Sequence, residues 1–299
     1  MPAMEHVSTI AGLRERLDAA RAAGATVGLV PTMGYLHDGH LSLARAAAEQ
    51  CDVVVMTIFV NPLQFAPDED LATYPRDPEG DAAKAEGAGV DVLFVPELNE
   101  MYPHGRDAVL TGVAVPELSS VMEGVSRRTH FGGVCTVVAK LFNIVGACTA
   151  YFGEKDYQQL AIVRRMASDL SFPVDVVGCP IVREPDGLAM SSRNVYLSDE
   201  ERAVAPVLQR ALRLGAAAIR SGTTNADEVR TLMRGEIQAA PLGELDYVEV
   251  ADPDTLAPLS VASRDARLFG AVRFGRARLI DNVGVADVAP SGPIPLLDT

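Results

Sequence analysis

A doubly wound α/β fold followed by a smaller α+β domain is predicted by three features of the sequence. Short apolar runs rich in β-branched residues alternate with alanine-rich amphipathic runs through roughly the first 180 residues, which is the pattern of a parallel sheet with helical crossovers. One run, Asp52 to Val60, is almost continuously apolar, as a central parallel strand covered on both faces must be. Beyond it the order changes, with two helical stretches first and three alternating strands after them. The expected domains are residues 1–181, a Rossmann-like unit, and residues 182–299, a smaller lid-like unit.

Each element has its own signal. Ser8 or Thr9 can cap a helix whose Ile10, Leu13 and Leu17 form one apolar stripe. Val27 to Val30 is the first predicted strand. Pro31, Gly34 and Gly39 punctuate the turn after it, and Leu41 to Glu49 is the next helix. Asn61-Pro62 ends the central strand, and residues 61–77 form a polar, proline-rich loop at its carboxyl end, where open α/β sheets place their ligands. Pro78 starts a helix reaching about Ala88, and Val90 to Val95 is a strand. Asn99 to Ser120 is irregular, with a short strand expected around Ala108 to Val113, and Glu123 to His130 is polar. Gly132-Gly133 opens an apolar helix to about Val145. Ala147 to Phe152 is a strand, Gly153 to Asp156 a turn, residues 157–170 a helix, and Phe172 to Val177 the last strand of the sheet.

A domain boundary is expected at Pro180 to Glu184, with Met190 to Arg193 on a loop facing back to the first domain. Asp199 to Arg220 and Asn225 to Ala240 are predicted helices, while Leu245 to Val250, Arg267 to Phe274 and Ala277 to Val283 are predicted strands. The last residues, Ala289 to Thr299, are rich in proline and are expected to fray.

Composition narrows the function classes. A chain of 299 residues can bury a large core. A formal net charge of -14 argues against an extended nucleic-acid surface, although it leaves ATP open, whose phosphates need only a few local donors. No apolar run reaches the length of a membrane span, and the N-terminus lacks a basic region followed by an apolar one, so a cytoplasmic protein is expected. Cys51, Cys135, Cys148 and Cys179 are widely spaced and are expected to be thiols in a reducing compartment, with no metal cluster among them.

Two of the five histidines, His37 and His40, stand three apart where a strand hands over to a helix N-terminus. Free backbone N–H groups there favour phosphate, and an imidazole, neutral or protonated, can donate to a phosphoryl group as its charge rises. An isolated histidine is more often a cap or a core residue, but Gly34 and Gly39 on either side of His37 favour a ligand-facing loop. Gln64 follows the central strand and Gln159 opens a later helix, so both can reach one crevice; a lone glutamine is more often a surface residue. Lys155 and Arg193 are cations on different loops. Taken alone, Glu154-Lys155-Asp156 is an ordinary charged turn and Ser191-Ser192-Arg193 an ordinary cap. Asp77 and Asp81, candidate metal ligands, are four apart.

His37-x-x-His40 resembles the nucleotide-binding signature of the nucleotidyltransferase superfamily, which includes the class I aminoacyl-tRNA synthetases. Around it stand Pro31-Thr32-Met33-Gly34, Phe59-Val60-Asn61-Pro62 with Gln64-Phe65, Tyr74-Pro75-Arg76, Phe152-Gly153-Glu154-Lys155-Asp156-Tyr157 and Met190-Ser191-Ser192-Arg193-Asn194. Together these resemble the pantoate–β-alanine ligases, from about residue 8 to about residue 283. The resemblance implies that ATP and pantoate form pantoyl adenylate and pyrophosphate, after which β-alanine displaces AMP to give pantothenate. It implies that His37, His40, Lys155 and Arg193 are catalytic. Met33, Gly34, Gly153, Glu154, Asp156, Val182, Met190, Ser191 and Ser192 would complete the ATP site, Gly153 and Val182 through adenosine and Asp156 through ribose.

By the same resemblance Gln64 and Gln159 hold pantoate, with Pro31, Met33 and Phe59 against its aliphatic body, and Asn61 and Tyr74 line the space where the amine enters. Arg127 and His130 match positions beside the pantoate site, or else form a structural network around the Gly132-Gly133 helix start. Asp81 is the expected Mg2+ ligand; Gly80 stands where the family often has the first acid of a pair, and Glu79 could compensate. A homodimer is implied. A nucleotidyltransferase acting on a small phosphorylated acceptor would share the histidines but would need a strongly basic acceptor pocket. A binding scaffold without chemistry would make the histidines and Arg193 incidental.

Overall fold

The computed structural model describes residues 3–67 and 69–288, so the expected fraying of Ala289 to Thr299 lies outside the described residues. The chain divides into two units, Met1–Val182 and Arg183–Thr299.

The first unit runs β1 (Glu5–Val7), α1 (Ile10–Ala22), β2 (Val27–Thr32), α2 (Asp38–Gln50), β3 (Val53–Ile58), α3 (Pro78–Gly87), β4 (Val92–Phe94), three short helices α4 (Leu98–Met101), α5 (Pro116–Ser119) and α6 (Glu123–Ser126), then α7 (His130–Val145), β5 (Cys148–Gly153), α8 (Tyr157–Asp169) and β6 (Val174–Cys179). Its strands form a parallel sheet in the order β1-β4-β3-β2-β5-β6. The buried run predicted as a central strand is β3, paired in register with β2 from Val27↔Val53 to Thr32↔Ile58. Val30, Val54, Met56 and Leu93 pack with Leu41, Leu43, Ala44 and Ala47 of α2 and with Ala85 of α3. Alternate strand residues, among them Leu29 and Val55, are equally buried and point to the opposite face. Thr9 caps α1 by accepting from the Gly12 amide.

The chain leaves β2 for β3 on one side and returns to β5 on the other, so the order reverses between β2 and β5. An open α/β sheet binds its ligands at such a switch point, beyond the carboxyl ends of the strands. Pairing of β2 with β5 covers only Gly28↔Thr149 and Leu29↔Ala150. Pro31, which has no N–H to give a neighbour, falls beyond that pairing.

This unit differs from the predicted elements in two places. Ala108 to Val113 forms no strand; a 3-10 turn over Arg106–Ala108 and extended chain take its place. The edge strand β1 has no counterpart among the predicted elements, because three residues, Glu5-His6-Val7, carry too little alternation to register.

The second unit contains α9 (Asp199–Val204), α10 (Val207–Arg220), α11 (Ala226–Gln238) and an antiparallel sheet of β7 (Gly243–Ala251), β8 (Arg267–Phe274) and β9 (Ala277–Gly284). The single helix predicted over 199–220 is two, broken before Pro206, whose ring removes a helical hydrogen bond. Leu208, Leu212, Met233, Ile237, Val250, Leu268 and Phe274 form its core.

One close approach fixes the loop after β3. A Cβ placed on Gly133 of α7 would lie 2.3 Å from the Leu63 carbonyl oxygen and 2.5 Å from the Gln64 nitrogen. Backbone cannot yield as a flexible side chain can, so Gly133→Ala is expected to cost about 1–3 kcal/mol as overpacking does. Urea unfolding monitored by circular dichroism will measure this; a variant as stable as the parent would show that the helix and loop can part freely.

Candidate active site

The turn from β2 to α2 is held at successive backbone amides. The Gly34 N–H donates to Thr32 Oγ1 (3.2 Å), the Tyr35 N–H to Asp81 Oδ2 (2.7 Å) and the Leu36 N–H to Asp81 Oδ1 (2.6 Å). Lys84 Nζ donates to the Leu36 carbonyl at 3.0 Å. Gly34 and Tyr35 both take left-handed backbone conformations, with φ of 88° and 52°. For a tyrosine that costs roughly 1–2 kcal/mol, less than two hydrogen bonds to a carboxylate contribute at about 1.5–3 kcal/mol each.

This turn delivers His37 as the N-cap of α2, with His40 in the first helical turn. The helix begins three residues earlier than periodicity suggests, because the apolar pattern starts only at Leu41. His37 Nδ1 accepts from the Gly39 amide at 3.1 Å, and His40 Nδ1 faces the His37 amide at 3.5 Å. The two rings lie 4.1 Å apart at 35°. Burial, with Lys155 next and Lys84 a smaller influence, lowers the His37 pKa from 6.5 to about 4; Asp156 and Asp38 oppose the shift. Burial, and then His37 itself, lowers that of His40 to about 3. Both imidazoles are therefore neutral at pH 7. Since each Nδ1 faces a backbone donor, each ring carries its proton on Nε2, as a donor for an incoming anion. The amides of Gly39 and His40 are meanwhile occupied, the latter by the His37 carbonyl at 2.8 Å. The donors left for an anion at this helix start are chiefly the rings.

Lys155 and Asp156 lie in a 3-10 turn, Glu154–Asp156, between Gly153 at the end of β5 and α8, so they sit across the switch point from the histidines. Lys155 Nζ is 3.5 Å from Asp156 Oδ1, and both charges reach the two imidazoles. The open space beside Gly153, where an added Cβ would meet nothing within 4 Å, leaves its backbone accessible.

Gln64 ends a 3-10 turn, Pro62–Gln64, in the loop after β3. Its Oε1 accepts from Asn61 Nδ2 (3.1 Å) and its Nε2 faces Met33 Sδ (3.2 Å). Asn61, expected beside the incoming amine, is held on all sides by the protein. It is 1% exposed, with Nδ2 also bonded to the Gly133 carbonyl and Oδ1 to the Tyr102 hydroxyl and the Leu63 amide. Its hydrogen-bonding capacity is taken up in orienting Gln64. Tyr74 is buried edge-on against Phe65. Arg127 forms a two-pronged ion pair with Glu69 and reaches the Gln64 carbonyl at 3.4 Å. His130 Nδ1 is 3.0 Å from the same carbonyl, so its proton is on Nδ1, opposite to the other two rings. Of the two readings of Arg127 and His130, the structural network is the one their contacts form.

Gln159 stands half-buried in the first turn of α8, and its side chain makes no hydrogen bond to another described residue. Its neighbour Gln158 is the structural one, joining the Glu123 amide to the carbonyls of Leu118 and Val121. Val182 closes the first unit. Met190, Ser191, Ser192 and Arg193 belong to the second, where Ser191 Oγ caps a 3-10 turn over Ser192–Tyr196 by accepting from the Arg193 amide.

The magnesium ligand expected at Asp81 meets a different geometry. Both of its oxygens are committed to backbone amides and an ammonium stands one helical turn on. Among the described residues no group of three histidine, cysteine or acidic side chains could hold a metal ion. The carboxylate does not fit a cation cage. Sequence reasoning missed Lys84, Tyr102 and Glu69; only Lys84, three residues from Asp81 and so on the same helical face, left a signal.

Paired neutral imidazoles and a lysine at the switch point of a parallel sheet define an α/β enzyme class that acts on nucleotide phosphates, of the nucleotidyltransferase kind. A family model described as pantoate-beta-alanine ligase matches residues 5–284, and the chain belongs to that family. The pantothenate synthetase of Moorella thermoacetica is 54% identical over 280 residues, covering 94% of this chain and 98% of that protein. The crystal structure of pantothenate synthetase from Thermus thermophilus superposes with a TM-score of 0.89 at 50% identity, over 94% of this chain and 99% of its own. The pantoate-beta-alanine ligase from Francisella tularensis, complexed with beta-gamma ATP and beta-alanine, gives 0.79 at 32% identity, over 97% of this chain and all of its own (100%).

The neutral histidines predict a pH dependence. A histidine whose folded pKa lies below its unfolded 6.5 takes up a proton more readily when unfolded. The folded state is thus fully favoured above about 6.5 and loses stability as pH falls towards 4 for His37 and His130, and towards 3 for His40. Urea unfolding between pH 7 and 5 should show stability declining with pH, and His40→Asn should flatten the slope by about one proton. Nitrogen-15 NMR at pH 7 should find His37 and His40 as Nε2–H and His130 as Nδ1–H tautomers. Charged His37 and His40 rings at that pH would defeat the assignment.

Proposed function

We propose that the chain joins pantoate to β-alanine with consumption of ATP, through pantoyl adenylate, and releases pantothenate, AMP and pyrophosphate. The observation that carries this reading is the pair of Nε2–H imidazoles at the switch point, in a chain of the pantoate–β-alanine ligase family. A pantoate carboxylate oxygen attacks the α-phosphorus of ATP as the bond to pyrophosphate breaks. No proton has to move in that step. Neutral donors suit it, stabilising charge on the phosphoryl oxygens without competing for the nucleophile. Lys155 adds a fixed positive charge beside them. The β-alanine amine then attacks the acyl carbon, sheds a proton and displaces AMP.

Gln64 and Gln159 are assigned to pantoate. The Gln64 amide rests one donor on a thioether, a weak acceptor that a carboxylate or hydroxyl replaces with gain. Asn61, Arg127 and His130 hold Gln64 in place. Gly34, Met33, Gly153, Glu154, Asp156, Val182, Met190, Ser191, Ser192 and Arg193 are assigned to ATP on the resemblance. Magnesium is assigned to the triphosphate, which it binds with several of its own waters retained. A homodimer is the assigned working form, which sedimentation of the purified protein tests, and the cytoplasm is the assigned compartment.

Exchange of labelled pyrophosphate into ATP is expected with pantoate present and β-alanine absent. Exchange that never occurs without β-alanine, despite bound pantoate, would rule out a separate adenylate step. His40→Ala should slow adenylate formation by roughly 3 kcal/mol, the cost of one preorganised donor, while pantoate affinity holds.

The two half-reactions separate the glutamines. Gln64→Ala and Gln159→Ala should each weaken adenylate formation by about 1–3 kcal/mol. With pantoyl adenylate supplied directly, Gln159→Ala should recover most of its rate, since the adenylyl group then anchors the acid. Rates and pantoate affinity unchanged in both steps would remove the amides from the pocket.

A further inference from the structure

We propose that Asp81 and Lys84 are positioning residues for the two phosphate-facing histidines, and that Asp81 serves backbone amides in place of a metal ion. The inference rests on the ligase reading above and concerns how its first step is preorganised. Asp81 and Lys84 are one turn apart on α3 and grip the same short segment through its donors and its acceptor. The carboxylate takes the N–H groups of Tyr35 and Leu36 at 2.7 and 2.6 Å, and the ammonium takes the Leu36 carbonyl at 3.0 Å. Successive amides in a turn form an anion nest, and here the protein fills that nest itself.

The fit is close. Asp81 is 1% exposed, and a Cβ on Gly34 would lie 3.0 Å from its Oδ2. Lys84 Nζ also stands 3.9 Å from Asp77 Oδ2, so the neighbouring acid already has a cation. A divalent ion at Asp81 would have to reach a carboxylate that is almost wholly buried, share its oxygens with two amides and sit near an ammonium. Leu36 immediately precedes His37, whose own amide faces His40 Nδ1. Any displacement of the Leu36 peptide therefore turns the cap residue and, through it, the second ring. Neither Asp81 nor Lys84 touches a reacting atom in this account; they set where the two Nε2–H donors point.

Asp81→Asn keeps the volume but offers one acceptor and one donor where two acceptors are needed. In ligand-free, metal-free protein labelled with nitrogen-15, it should move the His37 and His40 ring resonances and leave that of His130. At saturating ATP and pantoate, adenylate formation should fall on the order of 30- to 100-fold, as misplaced catalytic groups do. Pantoate affinity and the magnesium chloride midpoint should stay within about twofold of wild type on the same ground, that neither ligand contacts Asp81. Lys84→Met should act in the same direction, about fivefold, since it removes one of the three bonds. It stands in for Asp81→Asn if that variant does not fold. Recovery of the Asp81→Asn rate at high magnesium, or a shifted midpoint, would make Asp81 a metal ligand and overturn the proposal. Unmoved resonances with unchanged rates would overturn it as well. If the wild-type protein forms no pantoyl adenylate, the ligase reading falls, while the resonance comparison still decides what Asp81 does to the loop.

Discussion

The site depends on a carboxylate buried against two consecutive peptide N–H groups. Between Thr32 and His37 the chain must leave a buried parallel strand, turn, and enter α2 with a histidine at its cap. Such a turn exposes backbone donors that the interior cannot leave unpaired. Thr32, Asp81 and His40 side chains together meet the amides of residues 34 to 37. A glycine and a left-handed tyrosine make the geometry possible. The strain is local, and the bonds that offset it come from α3, an element some forty-five residues on. That distance makes the loop a tertiary structure rather than a local motif.

The same burial sets the chemical character of the histidines. Close packing of two rings and a nearby lysine make protonation of either costly. A pair of imidazolium ions would attract the triphosphate more strongly at a distance. They would also attract the pantoate carboxylate and lower its reactivity, as any strong cation beside a nucleophile does. Neutral donors give less attraction in the ground state and keep their hydrogen bonds for charge that develops on the phosphoryl oxygens. Positive charge is supplied from the other side of the switch point by Lys155, itself moderated by Asp156.

Much of this is legible in the sequence, and the losses have physical causes. Alternation of apolar runs yields the parallel sheet and most of its strands, because burial on both faces of β3 leaves little freedom of composition. His37, Lys155 and Gln64 stand at caps and turns beyond strand ends, with His40 one helical turn on, and there motif and position agree. Strand order is not legible, and with it the switch point between β2 and β5. Register and order arise from pairings that no local pattern encodes. Side-chain roles are lost wherever a residue's partner is distant in sequence. Asp81 resembles a metal ligand because acids near phosphate sites commonly are, and only the amides of Tyr35 and Leu36 reveal its other task. Asn61 is placed near substrate by resemblance, and only the structure shows that Gly133 and Tyr102 bind its amide.

The proposed adenylate formation requires a phosphorus and a carboxylate to meet with little freedom, and the first unit holds the residues assigned to the two ends by separate means. The phosphate end is fixed from α3 through Asp81 and Lys84. The acid end is fixed from α7, where Gly133 lets the helix touch the Leu63–Gln64 backbone and His130 binds the Gln64 carbonyl. Both anchors act on backbone rather than on the functional side chains alone, so they constrain where those side chains begin. Met33 links the ends, as it follows β2 on the way to the histidines and receives the Gln64 amide. A thioether makes a poor permanent partner for that amide, and so the link is weak enough for substrate to break. The rigid parts of the site thus lie in its supports, and its adaptable contact lies where pantoate is proposed to bind.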